Sequence, residues 1–188
     1  MSWAIWITGR PGSGKTTLAG RVAGALRAWP LTVVVLDLAS ARRAIVGRDR
    51  AAEAEEAIVH RALAYAAKLL TEAGVAVVVD ATAPRRAWRD EAREWVGHFA
   101  EVQLICPPEV CVERERAARW RLGDAQGGAA VQAAPDIALH YEESLNPELR
   151  VHTHVPGLLN AVEEVLRLAR RLHRAAAASV TPSERVTS

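Results

Sequence analysis

Apolar positions in this chain are grouped into short continuous runs that are separated by longer amphipathic stretches. Five runs rich in β-branched residues predict strands, over 4–8, 32–37, 75–80, 102–106 and 150–155. Five longer stretches predict helices, over 15–28, 52–73, 86–98, 109–121 and 157–177. Because the strand runs are apolar rather than alternating, both faces of the sheet are expected to be covered. The order of elements therefore predicts an α/β fold, a three-layer sandwich in which helices flank a five-stranded parallel sheet.

Two of the predicted helices carry apolar stripes. In the 52–73 helix the stripe comprises Ile58, Leu63, Ala66, Leu69 and Leu70. In the 157–177 helix it comprises Leu158, Leu159, Val162, Leu166 and Leu172. Residues at this spacing lie largely on one side of an α-helix, so both helices are expected to pack in the core rather than to carry chemistry. For the last helix, a partner-binding face is the alternative.

Composition is that of an ordinary globular domain. The chain has 188 residues, of which 50% are hydrophobic and 24% charged, and no apolar stretch reaches the length of a membrane span. One domain is expected over 1–178, followed by a polar, disordered tail over 179–188. The net charge is only +2 and the basic residues are dispersed, so a nucleic-acid partner is not indicated. Two cysteines without metal or redox spacing, and the lack of an export signal, favour the cytoplasm.

The segment GRPGSGKT, at 9–16, stands between the first predicted strand and the first predicted helix. It has the pattern G-x-x-x-x-G-K-[ST] of the P-loop NTPase fold, in which backbone N–H groups form an anion cradle. The ammonium of Lys15 is expected to contact the β and γ phosphates of ATP, and the hydroxyl of Thr16 is expected to bind Mg²⁺. We expect the nucleotide to contact Gly9, Arg10, Pro11, Gly12, Ser13, Gly14, Lys15, Thr16 and Thr17.

Two predicted strands end in an aspartate, and ligands collect beyond the carboxyl ends of strands in open α/β sheets. Asp80 ends VAVVVD, a pattern of Walker B type, and is expected to bind Mg²⁺ with Thr16 or to accept the proton of an acceptor hydroxyl. For Asp80 a helix or turn cap is the alternative role. Asp37 ends TVVVLD and is expected to act as the catalytic base or as an acceptor ligand.

Arginines that could stabilise phosphoryl transfer form two groups. Four follow EVCVE, where nucleotide kinases carry a mobile lid: Arg114, Arg116, Arg119 and Arg121. Of these, Arg116 and Arg119 are expected to contact phosphate, and the others to form a solvated surface. Arg85 and Arg86 follow DATAP and are expected to bind an acidic acceptor, a solvated pair being the alternative.

Other candidate features lie near the expected acceptor loop and lid. The segment 123–136 combines Gly, Ala, Gln and Pro without periodicity and is expected to form a mobile loop or lid margin. Trp88 and Trp120 could stack on a base, with packing in the core as the alternative.

The order of these motifs resembles that of the adenylylsulfate kinase family. The resemblance covers about residues 4–155 and rests on GRPGSGKTTLAGRVAGAL, VVVLD, AAKLLTEAGVAVVVDATAPRR, FAEVQLICPPEVCVERE and YEESLNPELRVHT. It implies Mg²⁺-dependent transfer of the γ phosphate of ATP to a ribose hydroxyl of adenylylsulfate, a small-molecule acceptor, by a homodimer. It also implies that Arg86 and Arg61, which match arginines of the family's acceptor segments, bind the substrate.

Several acceptor residues of the family are replaced in this chain. Where the family reads L-D-G-D-N-V-R, this chain reads LDLASAR, with Ala39 at the second aspartate, so Asp37 is expected to substitute. The phenylalanines with which the family stacks the acceptor's adenine align near Ala51 and at Ala81, and the one phenylalanine here is Phe99. These replacements are therefore expected to impair the phosphorylation of adenylylsulfate more than the binding of ATP. The alternatives are another acceptor, such as a nucleoside, a sugar or a nucleic-acid end, and a nucleotide-binding regulator with little turnover.

Overall fold

The computed structural model of the chain describes residues 1–47, 52–121, 140–154 and 158–179. Within these residues five strands form one sheet: β1 (Ala4–Gly9), β2 (Val33–Asp37), β3 (Ala76–Asp80), β4 (Phe99–Ile105) and β5 (Leu149–His152). The strand order is β2-β3-β1-β4-β5, and every pairing is parallel. The predicted five-stranded parallel sheet is therefore confirmed. Strand β4 begins three residues before its predicted start, and β5 ends before the predicted residue 155.

Six helices lie within the described residues: α1 (Lys15–Leu26), α2 (Leu38–Val46), α3 (Glu53–Glu72), α4 (Arg86–Trp95), α5 (Pro108–Arg121) and α6 (Leu158–Ala178). The sequence pattern did not predict α2, which follows β2 without a connecting loop. A side-chain cap begins this short helix, because the backbone N–H of Ser40 donates to Oδ1 of Asp37 at 2.9 Å. At its C-terminal end Gly47 adopts a φ of 74°, a left-handed conformation that suits glycine.

The sheet separates two hydrophobic layers. On one face, Trp3, Ile5 and Ile7 of the N-terminal segment and β1 pack with apolar residues of α1 and α6. On the other face, Ala4 and Trp6 pack with residues of α3 and α4. Strand β1 lies between two other strands and is buried along its whole length, as its uninterrupted apolar sequence predicts.

The apolar stripes predicted for the long helices are wrong in part. Ile58 is 59% exposed, Leu69 47% and Leu159 70%, although each was expected to face the core. Leu63 is buried as predicted, but the other buried apolar positions were not in the predicted stripes and more than half of them are alanines: Val59, Ala64 and Ala67 in α3, and Ala161, Val165, Leu168 and Ala169 in α6. Alanine contributes little to a hydrophobicity pattern, yet it lets a helix lie close to a sheet, so packing favoured the alanine-rich side.

Several predictions fall outside the described residues. These are the loop 123–136, nearly all of the tail 179–188, Ala51 and the side chains of Arg119, Trp120 and Leu158. In the part of the chain that is described, no helix is long and apolar enough to cross a lipid bilayer.

Parallel pairing brings the functional candidates to one edge of the sheet. Strand β1 pairs with β3 on one side and with β4 on the other; the chain passes from β1 to β2 on one side, and later from β3 to β4 on the other side. The Cα of Asp80 is in register with Ile7 of β1 and with Asp37 of β2. The phosphate loop follows β1 directly, so the loop and both aspartates lie beyond neighbouring strand ends.

A buried ion pair fixes the segment that precedes β5. Arg89 of α4 is fully buried, and its Nε lies 2.8 Å from Oε1 of Glu101 in β4. The same guanidinium donates hydrogen bonds to the carbonyl oxygens of Ala83 and Glu142. The hydroxyl of Ser144 also bonds to Glu101. One arginine thus joins α4, β4, the loop after β3 and the 141–144 segment.

We expect Arg89→Met to lower the free energy of unfolding by about 3 to 5 kcal/mol, because it removes the nearer of the two guanidinium groups that pair with the buried carboxylate of Glu101. Urea denaturation followed by circular dichroism measures this change. Arg61→Met is the matched control, since Arg61 pairs with Glu91 at 2.7 Å on the surface, where its side chain is 68% exposed, and its loss should cost about 1 kcal/mol or less. Equal changes in the free energy of unfolding for the two variants would contradict a special stabilising role of the buried Arg89–Glu101 pair.

His60 of α3 is a second buried group with a titration that bears on stability. Its Nδ1 donates to the carbonyl oxygen of Glu56 at 2.7 Å, and its ring stacks on Trp88 with centroids 4.4 Å apart. Burial lowers the pKa of His60 from 6.5 to about 4, and the carbonyl and carboxylate of Glu56 only partly oppose this. The imidazole is therefore neutral in the folded protein near pH 7.

The unfolded chain binds a proton at His60 near pH 6.5, whereas the folded protein resists it until about pH 4. The stabilisation from neutral His60 is therefore complete above pH 6.5 and is lost as the pH falls toward 4. We expect wild type to lose about 2 kcal/mol more unfolding free energy than His60→Phe between pH 7.5 and pH 5. Parallel pH profiles for the two proteins in urea denaturation would show that His60 does not titrate in this way.

Candidate active site

The loop between β1 and α1 has the backbone conformation that its glycines allow. Gly12 has a φ of 75°, and a Cβ there would lie 2.2 Å from the carbonyl oxygen of Cys111 in α5. Gly14, with a φ of 96°, adopts the left-handed conformation immediately before α1. Side chains at these positions would therefore strain the loop or displace α5. The loop directs the N-terminal end of α1, with its unpaired N–H groups, toward the edge of the sheet.

Lys15 lies at the centre of this loop. Its side chain is buried, and Nζ donates to the carbonyl oxygens of Gly9 at 3.1 Å and Arg10 at 3.0 Å. Burial lowers the pKa of Lys15, while the negative charges of Asp80 and Glu115 raise it. The ammonium is thus held inside the loop, where a phosphate group would meet it.

Asp80 faces Lys15 and Thr16 across the same space. The Thr16 hydroxyl forms a hydrogen bond with the Asp80 carboxylate. Burial raises the pKa of Asp80, as does the nearby charge of Asp37, whereas the hydrogen bond from Thr16 and the charge of Lys15 lower it. A hydroxyl and a carboxylate oxygen are the hard ligands that Mg²⁺ prefers, so this pair fits a Mg²⁺ site beside the phosphate loop.

Asp37 occupies the neighbouring strand end and has a structural contact of its own. Oδ1 accepts the N-cap hydrogen bond of α2 from the backbone of Ser40. The carboxylate is nevertheless close enough to Asp80 to affect its titration. Asp37 therefore caps a helix and lies beside the candidate metal ligand at the same time.

The predicted acceptor arginines differ in their surroundings. Arg86 begins α4, its backbone N–H donates to Oε2 of Glu142 at 2.7 Å, and its side-chain Nε is buried without a hydrogen-bond partner among the described residues. Arg61 projects from α3, is 68% exposed, and pairs with Glu91 at 2.7 Å. Arg116 is an exposed residue of α5. The structure thus leaves Arg86 next to the loop after Asp80 and Arg61 on the outer surface.

A cleft of about 610 Å³ opens at the N-terminal ends of α3 and α4. It is lined by Glu53, Ala54, Ala57, Arg85, Ala87, Trp88 and Glu142. Arg85 spans its wall, with Nε 3.1 Å from Oε1 of Glu53 and a terminal nitrogen 3.7 Å from Oε1 of Glu142. One ring of the lining, Trp88, is backed by the His60 imidazole. Trp88 therefore lines the cleft, and its stacking on a base stays a prediction.

Sequence reasoning missed the contribution of Tyr141. Its hydroxyl lies 3.1 Å from Oγ1 of Thr8 at the end of β1, and that Thr8 hydroxyl donates to the carbonyl oxygen of Thr82 at 2.6 Å. The Tyr141 ring is flanked by the guanidinium of Arg10, 5.8 Å from the ring centroid, and by that of Arg89 at 5.3 Å. The YEESLNPEL segment, which begins with Tyr141, pointed to this region in the sequence, but it does not show that the Tyr141 ring lies against the end of β1.

Comparison with known proteins places this site in a family. The family model described as adenylylsulphate kinase matches residues 1–152, which include the phosphate loop, both strand-end aspartates and the segment around Tyr141. The adenylyl-sulfate kinase of Synechococcus sp. (strain JA-2-3B'a(2-13)) is 34% identical over 163 residues, covering 87% of this chain and 91% of that protein. The probable adenylyl-sulfate kinase of Archaeoglobus fulgidus is 33% identical over 156 residues, covering 81% of this chain and 97% of that protein.

A solved structure is similar over nearly the same length. The APS kinase of Mycobacterium tuberculosis, in complex with AMPPNP and APS, superposes with a TM-score of 0.70 and 27% identity over 90% of this chain and 98% of that one. The resemblance recognised in the sequence motifs is therefore confirmed. Since the family model spans residues 1–152 and relatives above 30% identity cover more than four fifths of the chain, the chain belongs to the adenylylsulphate kinase family.

Proposed function

We propose that this protein is a kinase that transfers the γ phosphate of ATP to the 3'-hydroxyl of adenylylsulfate. The observation that carries the proposal is the meeting of Lys15, Thr16 and Asp80 at the phosphate loop. Family membership and the names of the relatives support the same activity. In this reaction the acceptor oxygen forms a bond to the γ phosphorus, the bond from that phosphorus to the β–γ bridging oxygen breaks, and ADP leaves.

The phosphate loop would bind the nucleotide. Its backbone N–H groups and the N-terminal end of α1 favour anionic oxygens, and the Lys15 ammonium would neutralise charge on the β and γ phosphates. Lys15 now donates to the carbonyls of Gly9 and Arg10, contacts that hold Nζ in place before phosphate arrives. Arg116, an exposed residue of α5, and Arg119 are proposed to add charge at the transferred group.

A Mg²⁺ ion fits the oxygen pair of Thr16 and Asp80, and we propose that these residues hold it. When bound, the ion would neutralise negative charge on the phosphate oxygens. The Lys15 charge favours ionised Asp80 and so keeps that carboxylate available as a ligand, although burial acts in the opposite direction.

A base must accept the proton of the acceptor hydroxyl, and it must lie on the side of the γ phosphate opposite the leaving ADP. Asp37 is the proposed base, since it lies at the strand end next to Asp80 and has a second carboxylate oxygen besides the one that caps α2. Arg86, whose Nε has no partner among the described residues, is proposed to bind the acceptor. Arg61 would contribute only after leaving Glu91, so it is the weaker member of this group.

A different hydroxyl acceptor is the second candidate, because the charge of the cleft favours an acceptor without a negative charge. The lining includes the carboxylates of Glu53 and Glu142, which repel an anionic group such as that of adenylylsulfate. Phe99 packs 6.3 Å from Trp6 and beneath the guanidinium of Arg93, so it does not offer a ring to a base. Trp88 is the aromatic side chain that lines the cleft. Trp88 would have to supply the stacking that adenine requires.

The proposal also includes a homodimer in the cytoplasm. The free, buried thiols of Cys106 and Cys111 suit a reducing compartment. Ile58, Tyr65 and Leu69 are exposed apolar residues at spacings of seven and four along α3, so they share one face of the helix that a second copy could cover.

The first test is a coupled assay of ADP formation from ATP with adenylylsulfate as the acceptor. We expect turnover by wild type and a loss on the order of 100-fold or more in kcat for Lys15→Ala, because the ammonium stabilises charge in the transition state. Lys68→Ala is the matched control, since Lys68 is the other lysine of the chain and pairs on the surface with Glu72.

The other outcomes of this assay either exclude the proposed reaction or point to one of the alternative functions. Unchanged turnover by folded Lys15→Ala would exclude the proposed chemistry. ADP formation with nucleosides, sugars or nucleic-acid ends, but not with adenylylsulfate, would establish the second candidate. Tight ATP binding without turnover on any acceptor would identify a nucleotide-binding regulator.

A second prediction separates the two aspartates. We expect Asp80→Asn to raise the Mg²⁺ concentration needed for half-maximal rate by about tenfold, because a neutral amide is a weaker ligand. Asp37→Asn should lower kcat with little change in this Mg²⁺ concentration, and asparagine can still cap α2. Initial rates over a Mg²⁺ titration measure both effects. An unaltered Mg²⁺ dependence in Asp80→Asn would rule out its role as the metal ligand.

A further inference from the structure

Arg10 is the second residue of the phosphate loop, and its guanidinium lies against the ring of Tyr141. Its carbonyl oxygen accepts a hydrogen bond from Nζ of Lys15 at 3.0 Å, so the backbone of this residue borders the phosphate site. Its guanidinium lies 5.8 Å from the centroid of the Tyr141 ring. A guanidinium over an aromatic face is attracted by the ring electrons, and Tyr141 therefore helps to fix its position.

Tyr141 is itself fixed between the phosphate loop and the loop after β3. Its hydroxyl contacts Thr8, and Thr8 donates to Thr82. The next residue, Glu142, donates its backbone N–H to the carbonyl of Pro84 at 2.9 Å. The guanidinium of Arg10 thus lies where the phosphate loop meets the acceptor loop.

No carboxylate of the described residues neutralises the charge of Arg10. The other guanidinium at the Tyr141 ring, that of Arg89, pairs with Glu101. In the acceptor region, Arg85 pairs with Glu53 and Arg61 pairs with Glu91. Among the residues that the structure describes, Arg10 has no carboxylate within ion-pair distance. An arginine held in this way beside a phosphate site is suited to a bidentate contact with a phosphate or sulfate group.

We propose that the Arg10 guanidinium, held on the Tyr141 ring, binds the anionic group of the acceptor and so determines specificity for anionic acceptors. The γ phosphate of ATP has the same chemistry, but the loop N–H groups and Lys15 already serve it, whereas Arg10 lies toward the acceptor loop. This inference rests on the proposed function, because it assigns a substrate contact within the same active site.

The test compares Arg10→Leu and Arg10→Lys with wild type, with Arg21→Leu as the control because Arg21 is an exposed arginine on α1. We expect Arg10→Leu to raise KM for adenylylsulfate by about 10- to 100-fold, as expected for loss of a hydrogen bond to a charged group. Arg10→Lys should have a smaller effect, because lysine keeps the charge but not the fork. KM for ATP and Kd for ADP should change less than about twofold.

Two results would overturn the proposal. In the first, Arg10→Leu weakens binding of ATP and AMPPNP while KM for adenylylsulfate stays the same, which assigns the guanidinium to the γ phosphate. In the second, neither constant changes, which assigns it to neither ligand.

If wild type does not phosphorylate adenylylsulfate, the proposed acceptor has failed, but the role of Arg10 is still decided. With AMPPNP bound, inorganic sulfate should raise the Tm of wild type and of Arg21→Leu but not that of Arg10→Leu, because ligands stabilise the folded state by mass action. Absence of a shift in wild type, or an equal shift in Arg10→Leu, would refute the anion site.

Tyr141 is a positioning residue in this proposal, and a pair of variants tests it. Tyr141→Phe keeps the ring and should leave KM for adenylylsulfate close to that of wild type. Tyr141→Leu should raise KM with little change in kcat at saturating acceptor, since the guanidinium remains but is no longer held. A purely structural role would instead lower Tm and kcat together, and an equal rise in KM for both variants would show that the hydroxyl, not the ring, matters.

Discussion

The site depends on the parallel pairing of β1 with β3 on one side and β4 on the other. Parallel strands present their carboxyl ends at one edge, so the phosphate loop after β1 and the aspartates that end β2 and β3 lie together there. Because β1 is buried on both faces and paired on both sides, the loop that it carries begins from a rigid position. The N-terminal end of α1 then directs backbone N–H groups toward any anion at this edge.

Electrostatics at this edge is a balance between burial and opposite charge. Burial alone favours neutral Lys15 and neutral Asp80, and each side chain favours the charged form of the other. Thr16 adds a hydrogen bond to the carboxylate, while Asp37 brings a second negative charge. This balance suits the binding of a nucleoside triphosphate and a divalent cation. The phosphates would then pair with the Lys15 ammonium, and the cation with the Asp80 carboxylate.

The acceptor side is organised by a different set of contacts. The buried Arg89–Glu101 pair fixes the 141–144 segment, and that segment fixes Tyr141 over the end of β1. Trp88 and the carboxylates of the cleft lie on the same side of the protein. We propose that these residues, together with the Arg10 side chain, distinguish an acceptor by shape and charge, whereas the backbone of the phosphate loop recognises the nucleotide. In this proposal, acceptor specificity depends on side chains held around Tyr141 and Trp88 rather than on the loop backbone.

The sequence by itself determined the strands, the phosphate loop, the strand-end aspartates and the family, because each depends on residues close together along the chain. Short apolar runs specify strands wherever they lie, and Gly12, Gly14 and Lys15 act within one loop. Tertiary structure alone decided which sides of the alanine-rich helices are buried, since alanine gives little signal. It also decided that Tyr141 reaches Thr8, 133 residues earlier in the chain. Contacts at such separation form only after the sheet has brought β1, β3 and β4 together, so no local pattern encodes them.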